Sequence, residues 1–235
     1  YEAADETPLQ RAPALSAKTR NHVHLKREDL QPVRSFKIRG AYNKVAQLSH
    51  EQRSCGIVAC SAGNHAQGVA FSAIKLGIDA VIVMPTGTPS IKVDGVRKLG
   101  GRVVLHGDTY DEAAVHAQGL AHAHGYAFIH PYDDPDIISG QGTIGLEMID
   151  QVPDLDAILV PVSGGALVNE RSTNGAASLA ATVALATYVA RSAPSLAVGE
   201  RRGAVSSSMP SSHIVILANR NLSTVPPPMC GAVCV

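Results

Sequence analysis

From Gly56 onward the chain alternates short apolar runs with longer stretches of helical spacing. "GIVAC" (56–60), "AVIVMP" (80–85), "RVVLHG" (102–107), "YAFIHP" (126–131) and "DAILVPV" (156–162) are compact and β-branched, and read as strands. Between them "HAQGVAFSAIKLG" (65–77), "SIKVDGVRKLG" (90–100), "YDEAAVHAQGLAHAHG" (110–125) and "QGTIGLEMIDQ" (141–151) repeat apolar residues at helical intervals. Gly77 and Gly100 are helix stops, and Asp108 or Thr109 is the cap of the third helix. Strands of about five residues alternating with helices of about 12 predict βαβ units. The fold class is therefore α/β, with a parallel sheet covered on both faces. Upstream, "HVHLKREDLQP" (22–32) reads as extended, and its charged "KRED" (Lys26 to Asp29) as a loop-like, fold-building stretch.

The pattern weakens toward the end of the chain. After Leu167 the sequence turns rich in Ser, Ala and Pro, and past Glu200 it holds one strand-like run, "HIVILAN" (213–219). A triple proline, Pro226 to Pro228, favours extended backbone. Residues 201–235 are expected to be a poorly ordered tail.

Composition adds exclusions. The chain has 235 residues, enough to bury a sizeable core. Its 20 Lys and Arg balance 20 Asp and Glu, so nothing favours nucleic acid or an anionic membrane surface. The apolar runs are too short to span a bilayer. Four cysteines, Cys55, Cys60, Cys230 and Cys234, lack the spacing of a zinc site, and a reducing compartment is the default. His122 and His124 are two apart on a helix and face different ways, so with His116 they predict no metal site. The first residue is Tyr1, so the native N-terminus, with any targeting peptide, is expected to lie upstream; the compartment is cytoplasmic or organellar (plastid or mitochondrial).

Four short motifs carry candidate chemistry: "SFKIRG" (35–40), "SAGNHAQG" (61–68), "SGQGT" (139–143) and "PVSGGAL" (161–167). Each has an ordinary reading, a surface lysine or a glycine turn. Together they say more. Glycine-rich turns at strand ends that open onto helices bind phosphate or carboxylate through backbone N–H groups. A half-buried lysine has a lowered pKa and condenses with aldehydes. One lysine with two anion loops suits an aldehyde cofactor bearing a phosphate, plus a carboxylate substrate. Pyridoxal 5'-phosphate with an amino acid meets that description.

"VRSFKIRGAYNKVAQLS", "SAGNHAQGVAFSAIKLGIDAVIVMP", "HGDTYDEA" and "DIISGQGTIGLEMIDQ" together resemble the threonine dehydratases (threonine ammonia-lyases), within the β-family of pyridoxal-phosphate enzymes that also holds serine racemases and serine dehydratases. The resemblance runs from Tyr1 to about Leu167, and weakly over 184–200. It implies a two-domain architecture, with a large domain from 1–55 and 131–200, incomplete here, and a small domain from 56–130. It implies that Lys37 forms the imine with the cofactor, that Phe36 lies against the cofactor ring and that Asn64 meets the ring hydroxyl. Ser61, Ala62, Gly63, Asn64 and His65 would hold the substrate carboxylate, and Ser163, Gly164, Gly165, Ala166 and Leu167 the cofactor phosphate. For His65 the plainer reading is a helix-start residue that orients the loop. The implied reaction is deamination of L-threonine to 2-oxobutyrate and ammonia, the first step of isoleucine biosynthesis, with L-serine giving pyruvate. Alternatives are a serine racemase or serine dehydratase, or a catalytically inactive truncated relative. Racemases of the family read "SSGNH"; Ala62 here carries no hydroxyl to move a proton, which favours elimination. Intact members are homo-oligomers.

Two departures stand out. The family's phosphate loop reads "PVGGGGL", and here Ser163 and Ala166 replace two glycines. Residues 168–183 look like an insertion before the helix and strand that resemble the family over 184–200.

Overall fold

The computed structural model describes residues 1–161, 213–218 and 232–234. These residues form two sheets. The four-stranded one is built from β3 (Ile57–Cys60), β4 (Ala80–Met84), β5 (Arg102–Leu105) and β6 (Ala127–Phe128), all parallel, in the order β5-β4-β3-β6. Its two inner strands are buried along their whole length because helices cover both faces. Alternation within the strands divides the core. Ile57, Ala59, Ile82 and Met84 pack with α4 (Asn64–Leu76) and α5 (Ser90–Lys98), while Val58, Cys60, Val81 and Val83 pack with Ala113 and Ala117 of α6 (Tyr110–His124). The local signals behave as expected. α4 ends on Gly77 at φ 67, and Thr109 caps α6 by accepting a hydrogen bond from the Glu112 N–H.

The second sheet is mixed, in the order β1-β2-β8-β7-β9. β1 (Leu9–Arg11) is antiparallel to β2 (His22–Arg27), with the short α1 (Pro13–Thr19) between them. β2 and β7 (Ala157–Pro161) both run parallel to β8 (His213–Ala218), and β9 (Ala232–Cys234) is antiparallel to β7. Within the stretch expected to be a poorly ordered tail, two segments therefore form strands, and β8 is the middle strand of its sheet. The β-branched run "HIVILA" carries that tendency by itself. Three further expectations are corrected. "KRED" builds the fold as expected but is not loop-like: Lys26 lies in β2 and Glu28 opens a single 3-10 turn (Glu28–Leu30), and both are fully buried in an ion-paired cluster. The last helix among the described residues, α7 (Pro135–Gln151), starts six residues before the expected Gln141, because Asp134 caps it and Pro135 occupies its first position. The run "YAFIHP" yields only the two-residue β6.

α2 (Lys37–Ala46) packs against both α4 and α7 and joins the two sheets, with α3 (His50–Cys55) leading on into β3. Glycines set these crossings. A side chain at Gly140 of α7 would come within 2.6 Å of the Gly40 Cα and 2.7 Å of the Arg39 carbonyl, and one at Gly68 of α4 within 3.1 Å of the Lys37 carbonyl. Backbone atoms cannot step aside as a flexible side chain can. Gly140→Ala is therefore expected to lower stability by about 1–3 kcal/mol despite the better helix propensity of alanine, measured as a shift in denaturant midpoint.

Candidate active site

In the four-stranded sheet the chain leaves β3 toward β4 and β5 and later returns to place β6 on the other side of β3. Open α/β sheets bind ligands at this reversal, at the carboxyl ends of the strands. Two segments emerge there: Ser61–Gly63 after β3, leading into α4, and Ile129–Pro131 after β6. Lys37, from the first turn of α2, reaches the second of them. Its Nζ donates to the Pro131 carbonyl at 2.6 Å and lies 5.4 Å from the centroid of the Phe36 ring. Burial pushes its amine down from 10.5 to about 8. Phe36 is itself 7% exposed, packed with Ile144, Met148, Leu155 and Ile158. Arg34, three residues before Lys37, sits in the left-handed region at φ 61, so the approach to the lysine is a tight turn, closed by the Arg34 N–H on the Gln31 carbonyl.

The opposite wall is the start of α4. Gly63 is its N-cap and has no side chain to cap it; the Ser61 hydroxyl instead accepts from the Gly63 N–H at 3.2 Å and shapes the turn. Space beside Gly63 is open, with nothing within 4 Å of where a Cβ would stand. A helix start without a side-chain cap offers N–H donors and a positive end to an anion. Asn64 opens α4, half-buried, and Ala62 packs against the core. His65 is buried; its Nε2 lies 3.0 Å from the Ile129 carbonyl and so carries the proton, and burial above all holds the ring down at about 3. His130, on the same segment as Ile129, accepts the Tyr132 and Asp133 N–H groups at its Nδ1. Lys37, Ser61, Ala62, Gly63, Asn64 and His65 thus surround one switch point. Ser163, Gly164, Gly165, Ala166 and Leu167 lie outside the described residues. Among the described residues no three metal-ligating side chains cluster; His116 stacks on His106 at 3.9 Å and His124 on Tyr126.

Sequence reasoning missed what stands behind Lys37. Arg39, one turn-face away, is 4% exposed and forks between two carboxylates, Glu28 (2.7 and 2.9 Å) and Glu147 of α7 (2.5 and 2.9 Å). Lys26 pairs with the same Glu147 at 2.6 Å. Two cations and two anions, all buried, lock the lysine-bearing turn to β2 and α7. The available signal was charge inside apolar runs: Arg39 between Ile38 and Ala41, and Glu147 between Ile144 and Met148.

The sequence profile of the family described as "Pyridoxal-phosphate dependent enzyme" matches residues 2–169. The chain belongs to this family. Among curated relatives, threonine dehydratase 1 biosynthetic, chloroplastic, of Solanum lycopersicum is 58% identical over 169 residues, which are 72% of this chain and 28% of that protein. The chain thus spans less than a third of that relative's length. The processed form of threonine deaminase isoform 2 of Solanum lycopersicum superposes with a TM-score of 0.72 at 42% identity, covering 92% of this chain and 52% of that one. Maize serine racemase also reaches 0.72, at 34% identity, covering 79% and 54%. The residues present fit the family's cofactor. An aldehyde needs a primary amine that is not locked in an ion pair, and Lys37 gives its hydrogen bond to a carbonyl and loses basicity through burial.

Proposed function

We propose that the chain carries the reactive centre of a threonine dehydratase, a lyase that converts L-threonine to 2-oxobutyrate and ammonia and turns L-serine into pyruvate more slowly. The observation that supports this reading is that Lys37 packs its backbone against Gly68 of α4 and rests its amine on the Pro131 carbonyl, at the switch point between β3 and β6. Lys37 would hold pyridoxal phosphate through its Nζ, with Asn64 at the ring hydroxyl and Ser163–Leu167 at the phosphate. When bound, that cofactor supplies an electron sink for the charge left on the substrate Cα. The chain's own residues do the rest. Burial lowers the Lys37 amine from its ordinary value to about 8, which favours the neutral form that can take the Cα proton at Nζ. The N–H groups opening α4 orient the substrate carboxylate. The wall at Ala62 has no hydroxyl to return a proton from the other face, which favours loss of water over racemisation.

The relatives' names, biosynthetic threonine dehydratases from bacteria and from chloroplasts, support a biosynthetic role, for which we propose the first step of isoleucine biosynthesis, in a cytoplasmic or organellar compartment; among the described residues no helix is long and apolar enough to cross a membrane. The two sheets support a division into a small domain over 56–130 and a large domain from 1–55 and 131–200; a homo-oligomeric assembly rests on the family resemblance alone.

The test is direct. The purified chain, supplied with pyridoxal phosphate and L-threonine, is expected to release 2-oxobutyrate; cofactor binding without product would favour a non-catalytic relative. With L-serine, pyruvate is expected to form faster than D-serine, assayed by chiral chromatography. Faster racemisation than elimination would assign the centre to the racemases instead.

A further inference from the structure

Between β6 and α7 the chain runs through Ile129–Asp134, and its backbone there is tied down from several sides. The Ile129 N–H goes to the Val58 carbonyl at 2.8 Å, the Ile129 carbonyl lies 3.0 Å from His65 Nε2, and the Pro131 carbonyl takes the Lys37 amine at 2.6 Å. Inside the turn, His130 Nδ1 accepts the N–H groups of Tyr132 at 3.3 Å and Asp133 at 2.7 Å.

Two of these bonds end on one peptide group. The Pro131 carbonyl and the Tyr132 N–H belong to the same planar unit, which is trans. In such a unit the C=O and the N–H point in opposite directions. Aiming the N–H at the His130 ring therefore aims the carbonyl away from it, at Lys37. The bonds form a chain from amine to peptide to imidazole, and each link polarises the next: an ammonium drawing on the carbonyl makes the N–H a better donor.

Only a ring with a free lone pair at Nδ1 can close this chain. The Tyr132 ring, edge-on at 4.7 Å, and the Phe128 ring at 6.3 Å flank the imidazole. The charged and titratable groups that face it are Asp133 and Asp134 on its own segment, Lys37 of α2 and His65 of α4. Burial above all holds the ring below its ordinary value of 6.5, against the pull of the two aspartates and with Lys37 adding to the effect. At neutral pH the ring is therefore the uncharged acceptor that the turn needs.

We propose that His130 is a positioning residue for Lys37: by accepting the Tyr132 N–H it fixes the peptide whose carbonyl holds the amine at the switch point. The proposal rests on the reading of Lys37 as the reactive amine. An amine that bonds a cofactor and must also take a proton is free for part of each turnover. A fixed carbonyl gives it one resting place instead of many.

Two variants isolate the acceptor. His130→Leu keeps bulk and removes it. His130→Asn restores it, because an asparagine Oδ1 accepts backbone N–H groups two and three residues on, as Nδ1 does here. The readout is the pH midpoint of Lys37 acylation by acetic anhydride in the cofactor-free chain, followed by mass spectrometry. The wild-type midpoint is expected near 8. In His130→Leu the carbonyl is no longer held toward the ammonium and the midpoint falls by about one pH unit, while in His130→Asn it stays with wild type. An unchanged midpoint in His130→Leu, or an equal fall in His130→Asn, overturns the proposal. Should His130→Leu fail to fold, amide exchange in Lys37→Met at neutral pH reads the same chain from its other end. The Tyr132 N–H is then expected to exchange about tenfold faster than in wild type, and an unchanged rate overturns the proposal equally. Failure of the wild-type chain to take up pyridoxal phosphate would strike the functional reading alone, since neither readout uses the cofactor.

Discussion

Lys37→Ala is expected to lower 2-oxobutyrate release from L-threonine by at least about 10⁴-fold while leaving the fold intact. The amine has two separate tasks, bonding the cofactor aldehyde and taking the Cα proton, and each alone contributes a large factor. No other lysine at this site replaces it: Lys26 is held by Glu147 and Lys44 by Asp134 and Asp136. The fold survives because Lys37 gives its side-chain bond to a carbonyl at the rim of the sheet rather than to a core ion pair. Unchanged thermal unfolding alongside lost activity is the expected pair of results. Residual turnover above about one per cent would mean that another group does the chemistry.

The second large effect is on stability. Arg39→Met leaves Glu28 and Glu147 facing each other in the core with only Lys26 against Glu147, and removing one partner from a buried pair costs about 3–5 kcal/mol. Methionine fills the volume of the stem but supplies none of the donors that now reach Glu28, Glu147, Thr143 and the Asp5 carbonyl. The loss is read as a shift in urea midpoint. It has a pH signature. Burial by itself would raise the Glu147 carboxyl, but the hydrogen bonds from Arg39 and Lys26 outweigh it and hold it below its ordinary value of 4.5. The folded value lies below the unfolded one, so this group's contribution is full above about pH 4.5 and is lost as the pH falls through the folded value. In Arg39→Met the folded value rises, so the variant's urea midpoint is expected to fall at a higher pH than that of wild type. Acid profiles that coincide would show that the carboxylate gains nothing from Arg39.

Much of the small sheet was legible because local signals and core pattern agree there. "GIVAC", "AVIVMP" and "RVVLHG" are each one buried or edge strand, and Gly77 and Thr109 end and begin helices by backbone geometry alone. The start of α7 was hidden because its signal, Asp134 followed by Pro135, lies in a run of turn-forming residues. The four-charge cluster was hidden for a different reason. Arg39 and Glu147 stand 108 residues apart, and nothing in a one-dimensional pattern tells a solvated charge from one whose partner arrives from another element. The same holds for His65. Its motif marks a loop worth attention, but only the placement of the Ile129 carbonyl fixes its tautomer and exposes the unpaired Nδ1.

The central claim is that Lys37 is the amine this chain offers to its family's cofactor. The decisive measurement is to incubate the purified chain with pyridoxal phosphate, reduce with borohydride, digest, and locate the phosphopyridoxyl group by mass spectrometry. The account predicts a single modified tryptic peptide, "SFKIR" (35–39), which runs through Lys37 because trypsin does not cut after the alkylated lysine, saturating at one group per chain. Modification of another lysine in preference to Lys37, or uptake spread evenly over the surface lysines, would contradict it.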